Sequence, residues 1–227
     1  MQQIAVITLF PQLIESYLQW GIIRKAQGTC LEIRTYDLRE HGPGIHQSVD
    51  DRPFGGGPGM VLRPDILLKA LIEVRLWLPH AKVVAFSPVG PVITQDLFRR
   101  AAQSSEPLIF FCGRYEGFDQ RFLDLYVDEQ WSLGDFVLTG GELAAMACID
   151  GIARLHPGVL NDPLSSIQES FTSSYLDHPH YTRPSLFEGI EVPQILLSGN
   201  HAHIEKWRKE QSLALTRKNR PDLLEKK

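Results

Sequence analysis

Pro107-Leu108-Ile109-Phe110-Phe111-Cys112-Gly113-Arg114-Tyr115-Glu116-Gly117 decides the class of the fold. Successive side chains of a strand point to opposite faces. An unbroken apolar run from Leu108 to Phe111 therefore needs cover on both faces, which is the position of a central strand in a parallel sheet. The run ends in a turn carrying glycine, arginine, tyrosine and glutamate.

Outward from this strand, helices and strands alternate. Gln3 to Leu9 is a compact apolar run and reads as a buried strand. Pro11 opens a helix with Leu13, Ile14, Tyr17 and Leu18 on one face, ending near Gly21. Leu31 to Leu38 alternates and reads as a second strand. Pro64 opens a helix whose apolar positions are Ile66, Leu67, Ala70, Leu71, Val74 and Trp77. Ala81 to Ser87 reads as a third strand, and Thr94 as the N-cap of a helix over Gln95–Gln103. This order predicts an α/β fold with a largely parallel sheet.

The segment Trp131 to Leu160 organises the rest. Phe136 to Leu138 reads as a short apolar strand bracketed by Gly134 and Gly140-Gly141, and a helix of small residues (Ala144, Ala145, Ala147, Cys148) follows. Glycine lets another backbone or a flat ligand come close. Neither a G-x-G-x-x-G fingerprint nor a G-x-x-x-x-G-K-[ST] loop occurs, so a nucleotide here would be held by backbone and apolar contact. Three candidate strand ends line up: Phe86-Ser87-Pro88, Cys112 to Glu116, and Leu138 to Gly141. Ligands of open α/β sheets bind at the carboxyl ends of strands, so the convergence predicts a small-molecule pocket. The glycine-rich loop His41–Met60, with Asp50, Asp51 and Arg52 directly before its glycines, reads as ligand-facing; a lid without chemistry is the competing reading.

The chain of 227 residues carries a net charge of −4 with an ordinary hydrophobic share of 43%. The charge is uneven: residues 201–227 are net +4 and the rest net −8. That asymmetry suggests an acidic body with a basic tail domain; on charge alone a solvated basic face is the commoner reason for such a tail and nucleic-acid contact the less common one. Three scattered cysteines make no disulfide framework and fit a reducing cytoplasm. No signal peptide and no membrane-spanning run is present. From Gly158 the texture changes: a polar stretch, Asn161 to Ser174, reads as a linker, and helical spacing returns over His201–Leu215, with a second basic helix or tail over Arg217–Lys227. His178-x-His180 and His201-x-His203 invite a metal reading, but neither has further ligands at a suitable sequence spacing, and structural or RNA-facing histidines are the preferred reading. General-base candidates are the carboxylates Asp50, Asp51, Glu116, Asp135, Glu142 and Glu169, with Arg114 and Arg154 as cationic partners.

Four motifs then stop being generic. Val49-Asp50-Asp51-Arg52-Pro53-Phe54-Gly55-Gly56-Gly57-Pro58-Gly59-Met60, Cys112 to Gly117, Trp131 to Leu138, and Pro179-His180-Tyr181-Thr182-Arg183-Pro184 occur in an order that resembles the bacterial tRNA (guanine-N1)-methyltransferases, which modify guanine 37 beside the anticodon. The resemblance implies a parallel-sheet α/β domain with a deep trefoil knot of the SPOUT class over residues 1–160, a linker over 161–174, and a small helical tRNA-binding domain over 175–227. It implies S-adenosylmethionine bent into the knot, a homodimer with active sites between subunits, a cytoplasmic enzyme, and assistance by magnesium (Mg2+). By motif, the cofactor pocket comprises Phe86, Ser87, Pro88, Gly113, Tyr115, Glu116, Leu133, Gly134, Asp135, Phe136, Val137, Leu138, Gly140 and Gly141. Asp50, Arg52, Gly57, Gly59, Arg114, His180 and Arg183 fall to the tRNA anticodon arm and its target base. Glu169 matches the general base and Arg154 the cation at guanine O6, with Asp50 in reserve as base.

Two positions depart from the family pattern. Glu169 stands where an aspartate is usual, and Ala144 where a proline is common. The competing readings are a non-catalytic RNA-binding relative, suggested by Glu169, and a nucleotide hydrolase, which the missing phosphate loop disfavours.

Overall fold

The computed structural model describes residues 1–225. It divides into two compact units, Met1–Asn161 and the segment from Asp162 onward. Lys226 and Lys227, the end of the expected basic tail, lie outside the described residues.

In the first unit the elements run β1 (Gln2–Thr8), α1 (Pro11–Leu18), α2 (Gly21–Ala26), β2 (Leu31–Asp37), β3 (Asp50–Asp51), β4 (Val61–Leu62), α3 (Pro64–Trp77), β5 (Lys82–Phe86), α4 (Gln95–Ser104), β6 (Leu108–Cys112), α5 (Gln120–Tyr126), β7 (Glu129–Trp131) and α6 (Glu142–Ala153). The main sheet has five strands in the order β2-β1-β6-β5-β7, and every pairing in it is parallel. The Leu108–Cys112 strand is central, as its composition predicts, and all five of its residues are buried. Its alternation sorts the core into two layers. Phe110 joins Ile4, Val6 and Val84 under α1, α2 and α6 on one face. Ile109 and Phe111 join Ala5, Ile7, Val83 and Ala85 under α3 on the other. Each such large apolar side chain contributes about 1.5–3 kcal/mol by leaving water.

Small residues let α6 sit close to its neighbours. Gly151 faces the ring of Phe98 in α4, and a Cβ there would have to displace that ring. Thr94 caps α4 as expected, its hydroxyl accepting from the Leu97 N–H.

Two expectations about this unit are corrected. Phe136–Leu138 is not a strand but an exposed bend. The sheet's edge position is taken by Glu129–Trp131, which pairs with β5. Apolar composition suggested a strand at Phe136, but strand identity depends on a partner, and the polar Glu129-Gln130 finds one. The expected loop 41–60 is not wholly irregular: Asp50–Asp51 pairs antiparallel with Val61–Leu62.

The second unit is not purely helical. It contains a hairpin of β8 (Leu186–Phe187) and β9 (Ile190–Glu191), then α7 (Gln194–Leu197), α8 (His201–Asn219) and α9 (Asp222–Glu225). Glu188 and Gly189 both have positive φ, the geometry of a tight two-residue hairpin turn. The helix from His201 runs on through Arg217 and Lys218 rather than yielding to a separate tail there. Among the described residues, no helix is long and apolar enough to cross a membrane.

Candidate functional site

At the carboxyl ends of β5 and β6 the first unit encloses a cavity of about 460 Å³. This is within the usual range for small-molecule sites. Its walls come from the three segments that the sequence singled out: Phe86, Ser87 and Pro88 after β5; Gly113, Arg114, Tyr115 and Glu116 after β6; and Leu133, Phe136, Val137, Leu138, Gly140 and Gly141 from the segment after β7. Gly134 and Asp135, expected in the same pocket, do not line it. Gly134 instead shapes the loop, exchanging hydrogen bonds with the Ser132 hydroxyl at 3.1 and 3.3 Å, and Asp135 is exposed.

Glycine closes this wall because nothing larger fits. The Gly141 N–H donates to the Gly113 carbonyl at 2.9 Å. A Cβ on Gly141 would stand 2.9 Å from the Cys112 Cα and 3.1 Å from the Gly113 nitrogen, both backbone atoms. Arg114 and Gly140 form an isolated antiparallel bridge, which stitches the loop after β7 to the turn after β6. In that turn the Gly117 N–H donates to the Arg114 carbonyl at 2.9 Å, and Tyr115 takes φ +58°. A tyrosine in the left-handed region is strained, and such strain concentrates at functional sites.

Beneath the wall lies a charge pair. The Glu142 side chain is 2% exposed and Arg114 20%, with Arg114 Nη2 2.9 Å from Glu142 Oε2. That contact lacks hydrogen-bond alignment. Oε1 carries the directed bonds, accepting from Thr8 Oγ1 at 2.7 Å and Arg114 Nε at 3.2 Å. Arg114 Nη1 also donates to the Thr139 carbonyl at 3.2 Å, and the guanidinium lies 4.5 Å above the Phe10 ring. Arg114, expected to face substrate, thus spends donors on bracing the cavity wall. Thr8 was missed from the sequence; the only available signal was a polar residue closing a buried strand. Burial, reinforced by the Glu142 charge, holds the Cys112 thiol well above its ordinary pKa, which makes it a packing group and not a nucleophile.

The 50–62 hairpin is tied to the same turn. The Glu116 N–H donates to Met60 at 2.9 Å, and the Leu62 N–H to Gly117 at 2.9 Å. A Cβ on Gly59 would meet Glu116 Oε1 at 2.3 Å, so Gly59 packs on this lining carboxylate. Asp50 sits half-buried in β3, while Arg52 and Gly57 are exposed.

Arg154 is the C-cap of α6, its N–H donating to Asp150 at 3.1 Å. The other end of α6, at Gly141, lines the cavity. At 1.5 Å rise per residue the two ends are roughly 20 Å apart. Glu169, His180 and Arg183 belong to the second unit. There Glu169 is half-buried, with its carbonyl accepting from Thr172, and His180 and Arg183 are exposed.

Chemically, the cavity offers apolar walls, peptide edges bared by glycine, and one lining carboxylate, Glu116. Arg114, its cationic side chain, is already paired. That set suits a flat heteroaromatic ligand with a cationic end and does not suit a polyphosphate.

A family model described as tRNA (Guanine-1)-methyltransferase TrmD matches residues 2–226. A protein of Hahella chejuensis named tRNA (guanine-N(1)-)-methyltransferase is 49% identical over 224 residues, covering 98% of this chain and 86% of its own. Proteins of the same name from Myxococcus xanthus and Herminiimonas arsenicoxydans are 48% and 47% identical, covering 97% and 99% of this chain and 89% and 92% of theirs.

Proposed function

The chain belongs to the tRNA (guanine-1)-methyltransferase family, and from that premise we propose that it methylates N1 of guanine 37 in tRNA with S-adenosylmethionine as donor. The observation that carries this reading is the convergence of three strand-end segments, two of them glycine-bearing, on one cavity. The donor's adenine fits between the apolar walls and peptide edges of Leu133, Leu138, Gly140 and Gly141, and its cationic methionine end fits beside Tyr115 and Glu116. When bound, S-adenosylmethionine supplies an electrophilic methyl group on sulfur. Magnesium, an ion usually bound through one or two carboxylates and water, would need an oxygen ligand beyond the cavity lining, because Glu116, its one carboxylate, is set against the donor's cationic end.

Guanine N1 carries a proton at neutral pH and is a poor nucleophile. The Glu169 carboxylate takes that proton, help worth on the order of 100- to 10,000-fold. The Arg154 guanidinium holds the negative charge that collects on O6; its fork suits that edge of guanine. The target base is turned out of its stack to be reached. Asp50 is the reserve base. His180 and Arg183 grip the anticodon arm, with Arg52, Gly57 and Gly59 at the target-base side.

Two finer features belong to the same proposal. The loop after β7 returns between neighbouring segments, bonded to Gly113 and Arg114, which supports a trefoil-knotted SPOUT topology. The span of α6 supports a homodimer: an Arg154 roughly 20 Å from the Gly141 end of its own helix is suited to serve a second copy's cavity.

The test is methyl transfer from labelled donor to two tRNA transcripts, one with guanine and one with adenine at position 37. Label only in the guanine transcript, lost in Glu169→Gln and Arg154→Ala with donor binding intact, is the expected result. No label in either transcript, with donor bound, would instead identify a non-catalytic RNA-binding relative.

A further inference from the structure

Asp177 stands directly before His178-x-His180 in the sequence, and the turn brings all three side chains together. Asp177, His178 and His180 offer three ligating atoms that lie within 4.8 Å of one another. His180 Nε2 is 3.1 Å from Asp177 Oδ2, and His178 Nε2 is 3.8 Å from Oδ1. Around a tetrahedral zinc ion with bonds near 2.0–2.1 Å, ligand atoms stand roughly 3.4 Å apart. Each imidazole faces a different oxygen of the one carboxylate, at distances near that spacing, so a small rotation of the carboxylate would let one oxygen join both nitrogens on an ion.

The lone pair of His178 is also set, whereas His180 Nε2 donates to Asp177 Oδ2 and must give up that proton when metal binds. His178 Nδ1 lies 3.1 Å from the Pro179 carbonyl oxygen. A carbonyl can only accept, so Nδ1 carries the proton and Nε2 keeps its lone pair on the Asp177 side. A backbone carbonyl fixing the tautomer of a ligating histidine is the usual outer support of such centres.

The turn is held from outside. The Leu176 N–H donates to the Thr216 hydroxyl of α8 at 2.9 Å, and the Asp177 N–H to Ser170 Oγ at 2.9 Å. Thr216 is fully buried, and the His178 ring centroid is 6.5 Å from that of Trp207 in the same helix. The three donors are therefore presented on braced backbone, which lowers the ordering cost of capture.

We propose that Asp177, His178 and His180 form a binding site for a divalent transition metal of the zinc class. Two imidazoles and one carboxylate select such an ion over magnesium or calcium, which prefer oxygen. Three protein ligands leave a fourth position open for water or an anionic oxygen. The inference rests on side chains of the second unit alone and stands independently of the methyl-transfer reading.

The experiment uses the full chain without a histidine tag, stripped by chelator. Zinc is titrated calorimetrically, and cobalt is followed by its visible absorption. The expected result is one metal per chain and the intense bands of four-coordinate cobalt. Affinity should fall at least about tenfold in Asp177→Asn, His178→Gln and His180→Gln, and stay unchanged in the His201→Gln/His203→Gln control. The His180 side chain is 71% exposed, so its substitution does not threaten folding. Absence of saturable binding would overturn the proposal. So would binding that survives the three cluster variants or disappears in the control.

Discussion

Arg114 and Glu142 make a buried pair whose two members are not equivalent. Glu142 is almost completely enclosed, at 2% side-chain exposure, whereas one-fifth of Arg114 reaches solvent. Removing one partner of a buried pair costs about 3–5 kcal/mol, because the other charge is left without compensation. Arg114→Leu leaves the Glu142 carboxylate with a neutral donor, the Thr8 hydroxyl, in place of its cation, so it should carry this full cost. Glu142→Gln keeps the shape, the acceptor for Thr8 and an acceptor for Arg114 Nε. Arg114 can then recover water on its open side, and the loss should be nearer 1.5–3 kcal/mol, that of a hydrogen bond to a charged group. Arg114→Leu/Glu142→Leu removes both charges and should be milder than Arg114→Leu alone.

Native-state hydrogen exchange of the Ile109–Phe111 amides is the assay, since it reads the opening of the first unit's own sheet. At 1.4 kcal/mol per factor of ten, exchange should accelerate more than about 100-fold in Arg114→Leu. Donor affinity should fall in both single variants, because Arg114 also holds the Thr139 carbonyl of the cavity wall. An Arg114→Leu variant no worse than Glu142→Gln, or a double variant as unstable as Arg114→Leu, would refute this account of the pair.

Three further outcomes follow from particular contacts. Gly141→Ala puts a Cβ 2.9 Å from the Cys112 Cα; it should cost about 1–3 kcal/mol by overpacking and weaken donor binding at least tenfold in calorimetry, and unchanged binding would contradict the reading of the glycine wall. Thr94→Ala removes the α4 cap and should lower urea stability by about 1 kcal/mol with kcat unchanged, an effect absent if the cap is idle. His156 is held below its ordinary value of 6.5, first by burial and then by the positive N-terminal amine. Its Nε2 lies 2.9 Å from Gln2 Oε1, while the Gln2 amide nitrogen donates to Ala101 and Glu106. The unfolded chain therefore takes up this proton before the folded one does, so stability is full above about pH 6.5 and declines as pH falls toward the lowered value. Urea midpoints measured from pH 7.5 to 5 should show that slope diminished in His156→Gln; an identical slope in the variant would refute it.

Much of this molecule is legible from local chemistry. An all-apolar Leu108–Cys112 must be covered on both faces, and that forces a central strand with helices above and below it. The glycines at 113, 140 and 141 mark close backbone approach, and proline or a hydroxyl marks the start of α1, α3 and α4. The order and identity of the long motifs fix the family. Partners far away along the chain are not legible in this way. Periodicity reports how a segment is buried but not which neighbour it pairs with, so Phe136–Leu138 imitated a strand while Glu129–Trp131 held the sheet edge. Arg114 could not be told from a substrate ligand until folding brought Glu142 and Thr8 beneath it, whereas Asp177, His178 and His180 are neighbours in sequence and only the bracing of their turn by Thr216 and Ser170 is tertiary. Composition and spacing are properties of the local chain; strand pairing and the enclosure of charge are long-range, and the tertiary structure decides them.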